Sequence, residues 1–181
     1  MIILIVVLAL VVLWAILIFN GMVSLSKQAD AAWSDIDVQL KRRHDLVPNL
    51  VETVKGYATH EKNVFIEVTE ARARAMSAED PDEKGDAETT LEGSIQNLFA
   101  LAENYPQLRA NENFLGLQKS LTEVEDMLQN ARRYYNAVIR DYNTKIGIFP
   151  NLLIAPICGF AERDYFQLQA SEADNPRVAM G

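Results

Sequence analysis

From Ala29 onward, apolar residues recur in alternating steps of four and three. The series runs Ala29, Trp33, Ile36, Leu40, Arg43, Val47, Leu50, Val54, Tyr57, Glu61, Val64, Val68 and Ala71. Eleven of its thirteen members are apolar and the intervening residues are mostly polar. This is the narrow seam of a long helix packing on other helices at a 3.5-residue, coiled-coil-like repeat. A second seam has no polar break: Phe114, Leu117, Leu121, Val124, Leu128, Ala131, Tyr135, Val138 and Tyr142. It predicts a helix over 112–145, capped by Asn111 and terminated by Gly147 and Pro150, and it is the natural partner of the first. Between them, Leu91, Ile95, Leu98, Phe99 and Ala102 share one face of a shorter helix over 87–105, with Pro106 after its end. The pattern predicts an all-α fold, an up-and-down antiparallel helical bundle. It has three long helical stretches, or four if the first breaks near Thr59.

The interruptions are as informative as the seams. Arg43 occupies a core position, where a charge is costly unless it is paired or reaches the edge. Pro48 removes a helix hydrogen bond, but the register continues through Leu50 and Val54, so a kink is expected rather than a stop. Gly56 weakens the helix and Thr59 offers a cap, leaving open one bent helix to about Ala78 or two helices. Residues 79–86 carry Pro81, Gly85 and five acids and read as a solvated loop. An EF-hand is rejected there, because Lys84 and Leu91 fall where the fifth and twelfth ligands would be.

Ahead of the first seam, Ile2 to Phe19 are eighteen apolar residues in succession. As a helix they span about 27 Å, close to the hydrocarbon core of a bilayer. A cleaved signal peptide would need a basic leading region and a shorter apolar run, and a soluble core helix is usually shorter too. The expectation is a transmembrane anchor over 1–26, a bundle over 27–149, and an apolar tail with a short helix (161–173) over 150–181. Lys27 is the one basic residue close to the exit, and none lies on the N-terminal side. The positive-inside rule therefore places a short N-terminus outside and the bundle in the cytoplasm, in a single-pass cell-membrane topology. The tail stretch 149–160, twice interrupted by proline, is not itself a transmembrane helix. It is expected to fold back and cap the bundle, with a partner or the membrane interface as alternative contacts.

Composition narrows the chemistry. The net charge of -8 argues against nucleic acid as a partner. Cys158, the sole cysteine, makes no internal disulfide. The residues three before His44 and His60 are Lys41 and Tyr57, so the Glu-x-x-His pairs of di-iron bundles are missing. His60-Glu61 is followed by Val64 where a zincin needs its second histidine. No glycine-rich phosphate loop and no Gly-x-Ser-x-Gly occurs. No catalytic residue, cofactor or metal is predicted.

The densest charged feature is Lys41-Arg42-Arg43-His44-Asp45. It lies about 33 Å of helix beyond the apolar run, too far for a lipid-headgroup cluster when the Debye length is about 8 Å. The bland reading is a solvated face. The sharper one is a polar layer or interaction site formed by Arg42, Arg43, His44, Asp45, Arg132, Arg133 and Asp141. In it Arg43 would pair with Glu123, Glu125 or Asp141, while Arg132 and Arg133 would form the rim around Tyr135.

The segment Ala32–Val51, with Trp33, Asp37, Gln39 and Lys41 through Leu50, resembles the signature of the LemA family. So do Ala110–Phe114, Ala131–Asn136, Arg140–Asn143, Phe149-Pro150 and Leu153-Ile154-Ala155. The tail departs from the pattern at Pro156, Ile157 and Cys158. The resemblance implies a bacterial or archaeal-type membrane protein with one N-terminal anchor, a cytoplasmic helical bundle and no enzymatic activity. Relatives encoded near membrane proteases or small membrane-associated TPM-type domains imply envelope maintenance, and one branch is magnetosome-associated. The expected function is a non-enzymatic scaffold or adaptor, forming a homo-oligomer or binding unknown protein partners. The alternative is a regulatory subunit of a membrane protease or other membrane enzyme, and an intrinsic hydrolase comes third.

Overall fold

The structure is a computed structural model that describes residues 1–78 and 81–166. Six helices follow one another: α1 (Ile2–Lys55), α2 (Lys62–Ser77), α3 (Pro81–Ala102), α4 (Pro106–Arg109), α5 (Glu112–Gly147) and α6 (Asn151–Ile154). Among the described residues there is no strand. The chain is all-α, as its periodicity predicts. It divides into two compact units, one made of Met1–Asp37 with Gln129–Tyr165, the other of Val38–Leu128 with Phe166.

The second unit holds the larger core. Val47, Leu50 and Val54 of α1, Val68 and Ala71 of α2, Leu91 and Leu98 of α3, Leu108 of α4, and Phe114 and Leu121 of α5 form one buried cluster. These are the seam residues of their helices, brought together because each apolar stripe must find another. Tyr57 receives a hydrogen bond from Asn111, while Arg43 meets Glu125. Positions therefore rise along α1 as they fall along α5, so the two segments run antiparallel within this unit. Asn111 caps α5 as expected, its Oδ1 accepting from the Phe114 amide at 3.1 Å.

Three boundaries differ from expectation or settle an open one. α1 runs through Pro48 and ends at Lys55, and α2 begins at Lys62, so the first stretch is two helices. The seam skips a beat there: Tyr57 is exposed and Ala58 is buried in its place. The loop expected over 79–86 is instead helix from Pro81 onward, with Glu79 and Asp80 outside the described residues. Proline suits the first turn of a helix, where its missing N–H is not needed, and Glu83 places negative charge at the positive end of the dipole. α3 ends at Ala102, and Pro106 opens the single turn of α4.

In the first unit, α5 packs against the N-terminal half of α1. Trp33 meets Tyr135 edge-on, with ring centroids 5.2 Å apart. Met22, Tyr142, Ile146 and Ala155 form a small core flanked by Ile18, Leu25, Ile154 and Phe160. After α6, Gly159 at φ +77° supplies a left-handed turn open to glycine at little cost, and the tail returns along the helices. It does fold back. The helix expected over 161–173 is absent as far as Phe166, and the rest of that range lies outside the described residues. Ile2 to Leu17 carry their apolar side chains almost entirely exposed, and none of the most apolar 18-residue window is buried. A soluble core helix would be covered. This is the one helix among the described residues long and apolar enough to cross a membrane.

Leu98 is fully buried at the centre of the larger core. Leu98→Ala should destabilise the protein by about 2–5 kcal/mol, the usual sum of transfer and cavity terms. Urea unfolding in detergent measures it, and a change near zero would mean the cluster is not the stabilising core.

Candidate polar layer and the tail clasp

The site is assembled around two charges that sit where apolar residues belong. Arg43 lies in the α1 seam and is 2% exposed; Glu88, in α3, is fully buried. Glu88 precedes Leu91 by three, and Ile95, Leu98 and Ala102 continue the same stripe. Its burial follows from its register, as that of Arg43 does. One Glu88 oxygen, Oε2, accepts from Arg43 Nη1 at 3.3 Å, and the other, Oε1, accepts from His44 Nε2 at 2.7 Å. For that bond His44 must carry its proton on Nε2. Arg43 Nη1 also lies 3.4 Å from the Glu88 carbonyl oxygen, and Nη2 donates to Glu125 of α5. Arg72 of α2 closes the layer by donating Nε–H to the His44 carbonyl at 2.7 Å. Four helices thus meet at the adjacent Arg43 and His44 of α1.

The polar layer is only partly the one expected. Of the three candidate partners of Arg43 on the last helix, Glu125 is the one that pairs. Asp141 instead pairs on the surface with Arg140 at 3.1 Å. Asp45 is exposed and pairs with Lys41, and Arg42 donates to the Met127 sulfur at 3.8 Å. Arg132 is buried at 4% exposure rather than at a rim, while Arg133 is exposed and donates to Asn130. Arg132 and Arg133 belong to the first unit, whereas Arg43 belongs to the second. Periodicity does not single out Glu88 or Arg72, because neither interrupts a long seam. The signal for Glu88 was its spacing from Leu91; Arg72 has none.

Both Glu88 oxygens are occupied by protein donors, and the bonds join α1 to α3. A cleft of about 210 Å³ lies beside it, lined by Arg43, Ile95, Phe99, Leu121 and Glu125 among others. That is below the usual 300–1,000 Å³ of small-molecule sites. Among the described residues no three His, Cys, Asp or Glu side chains gather as metal ligands.

The first unit carries a second polar constellation, which clasps the tail. The Tyr135 and Tyr142 hydroxyls donate to the carbonyls of Asp164 and Ala161 at 3.1 and 2.9 Å. Asn143 pairs with the Arg163 backbone twice, donating to its carbonyl and accepting from its amide. The Arg163 guanidinium donates to Asp30 at 2.7 Å and to Ser26 at 2.9 Å, and it lies over the Tyr142 ring. The Arg163 bond holds the Asp30 carboxyl below its usual range, with Lys27 adding to the effect. Burial raises the Tyr135 hydroxyl pKa. Burial works against the charge of Arg163, but Asp30 outweighs it and the guanidinium pKa rises.

An all-α unit pinned by a buried ion-pair layer, in a chain with one uncovered apolar helix, defines a membrane-associated helical-bundle protein. The chain belongs to the LemA family, whose model matches residues 32–180. It is similar to magnetosome protein MamQ 2 of Paramagnetospirillum magneticum, at 27% identity over 88% of this chain and 68% of that protein. It is also similar to magnetosome protein MamQ of Magnetospirillum gryphiswaldense, at 26% over the same shares. Protein LemA of Metamycoplasma hominis is 26% identical over 65% of this chain and 54% of its own.

Two outcomes follow from this geometry. Arg43→Met should cost about 3–5 kcal/mol by leaving Glu88 short of its charged partner. Arg43→Met combined with Glu88→Leu should recover much of that loss, giving a large coupling in a double-mutant cycle of unfolding free energies; strict additivity would show the two residues do not act as a pair. For the clasp, a lowered Asp30 pKa means its contribution is complete above the ordinary carboxylate value near pH 4 and is lost as pH falls through the lowered one. Hydrogen exchange at the Arg163 amide should therefore lose protection in acid. In Asp30→Asn the protection should already be lower at pH 7, by up to about 1 kcal/mol for so exposed a pair, and should show no such acid step.

Proposed function

We propose that the protein is a single-pass, membrane-tethered adaptor: its N-terminal apolar helix crosses the membrane and its bundle offers helical faces to other proteins or to further copies of itself. The observation that carries this reading is α1. Its apolar residues from Ile2 to Leu17 are largely exposed, and the same helix goes on to supply Arg43 and His44 to the polar layer. A chain built this way couples a membrane position to a registered bundle. The MamQ relatives are named as magnetosome proteins, and this likeness supports an adaptor role in membrane upkeep. The polar layer, with both Glu88 oxygens occupied, fits holding better than catalysis. Lys27 beside the apolar run favours a cytoplasmic bundle.

Cross-linking in intact cells followed by native mass measurement of the detergent-solubilised complex tests the proposal. A homo-oligomer, or a stable assembly with structural membrane proteins, is expected. A one-to-one complex with a larger membrane enzyme would replace the adaptor with the regulatory-subunit reading, and recovery of lipid alone would overturn both. A topology reporter fused after Gly181 should report the cytoplasmic side; protease-accessible signal from outside the cell would reverse the orientation.

A further inference from the structure

α5 approaches the membrane end of α1 as it proceeds. Tyr134 accepts a hydrogen bond from Gln28, and eleven residues later Lys145 brings its Nζ to 3.0 Å from where a Cβ on Gly21 would stand. Tyr142 and Ile146 pack in the cluster of Met22. Past Gly147 the chain therefore enters the level at which the apolar run of α1 ends. From Ile148 to Phe160 it carries thirteen residues without a single Asp, Glu, Lys or Arg. The one amide among them, Asn151, is buried and donates to the Lys145 carbonyl at 2.7 Å.

What this segment leaves exposed is apolar. Phe149 is 77% and Ile157 86% exposed, and Ile148, Leu152 and Leu153 are each at least half exposed. Phe160 fixes the depth of the tail, since its ring meets that of Phe19, the last residue of the apolar run, with centroids 5.8 Å apart. Three residues later Arg163 reaches Ser26 and Asp30, where charge begins on α1. Apolar residues thus lie beside the end of the spanning run, and the first ion pair of the tail lies beside the first charges of α1. The polarity change falls at one level on both.

We infer that the segment 148–158 is a second membrane contact, a hairpin that embeds Phe149, Leu152, Leu153 and Ile157 in the bilayer interface beside the spanning helix. The occupant is lipid. Three features point to lipid: the continuity of the patch with the exposed apolar face of α1, the match in depth through Phe19 and Phe160, and the absence of charge across the whole segment. Lys145 flanks it as a cation able to reach the headgroups. Such a contact sits about 5–10 Å into the headgroup–acyl boundary. Embedding the hairpin would fix the rotation of α1 about its axis, which a lone spanning helix leaves free.

The inference rests on α1 spanning the membrane, and the native cysteine allows the two readings to be separated. Cys158 is the only cysteine and is exposed within the hairpin. A nitroxide on Cys158 of the full chain in phosphatidylcholine–phosphatidylglycerol vesicles should collide with oxygen more than with a water-soluble nickel chelate. In a Cys158→Ser background, Val12→Cys should report lipid and Asp35→Cys should report water. If Val12→Cys also reads aqueous, the spanning helix itself is refuted. If Val12→Cys reads lipid while Cys158 reads aqueous, the hairpin contact alone is refuted. Low accessibility to both agents at Cys158 would mean that protein, a partner or a second copy, covers the segment, and would equally overturn lipid as its occupant. Phe149→Asp combined with Ile157→Asp should move the Cys158 label toward the aqueous reading while Val12→Cys is unchanged.

Discussion

A carboxylate with no access to water cannot be left to itself, and the position of Glu88 imposes this constraint on the bundle of α1, α2, α3 and α5. Its two oxygens need donors from outside its own helix. Arg43 and His44, adjacent on α1, supply both. Moving α3 by one turn along α1 would separate Glu88 from both at once, and the cost of an unpaired buried charge far exceeds that of one misplaced methyl group. Hydrophobic stripes alone tolerate such slips, because one leucine packs much like another. The ion pair does not. Glu125 then brings α5 to the same arginine, and Arg72 ties α2 to the backbone beside it.

The second constraint is of a different kind. Tail residues 161–164 offer mostly backbone groups, and the helices answer with side chains whose bodies are already core. Tyr135 and Tyr142 bury their rings in the seam and carry their hydroxyls past it to carbonyls of the tail. A phenylalanine at either position would keep the seam intact and lose the attachment. Asn143, with one donor group and one acceptor, matches the donor and acceptor of a single peptide residue, so the tail is held in one register. Charge enters only once, through Arg163 to Asp30, and its half-exposed setting makes it a minor contributor.

Together these features give a chain whose apolar and polar surfaces are sorted by position along α1. Its first residues face outward with nothing to cover them. The segment 18–25 is packed by the end of α5 and the tail, and residues from Arg43 onward belong to a bundle with its own core. This separation suits the adaptor role proposed above, in which a membrane-facing part and a partner-facing part would not compete for the same apolar surface. Membership of the LemA family and the likeness to magnetosome proteins are consistent with a membrane-associated role.

Helices were legible wherever a seam was long. The 3.5-residue repeat from Phe114 to Tyr142 specified α5 almost to its ends, Asn111 announced its cap, and eighteen uncharged residues announced the apolar helix, because these are local or periodic properties. Arg43 was visible as a flaw in a seam, but its main partner was not. Glu88 lies on a shorter helix whose start was hidden in an acidic stretch that read as loop. Which of several acids meets a given arginine depends on how two helices rotate against each other, and periodicity leaves that rotation open. The break between α1 and α2 was undecided for a related reason: Gly56 and Thr59 permit a turn, but only the packing of Ala58 and Phe65 into a shared core selects it. The tail was the least readable part. Its order comes from hydroxyls and an amide 19 to 29 residues upstream, through contacts that no repeat in the chain encodes.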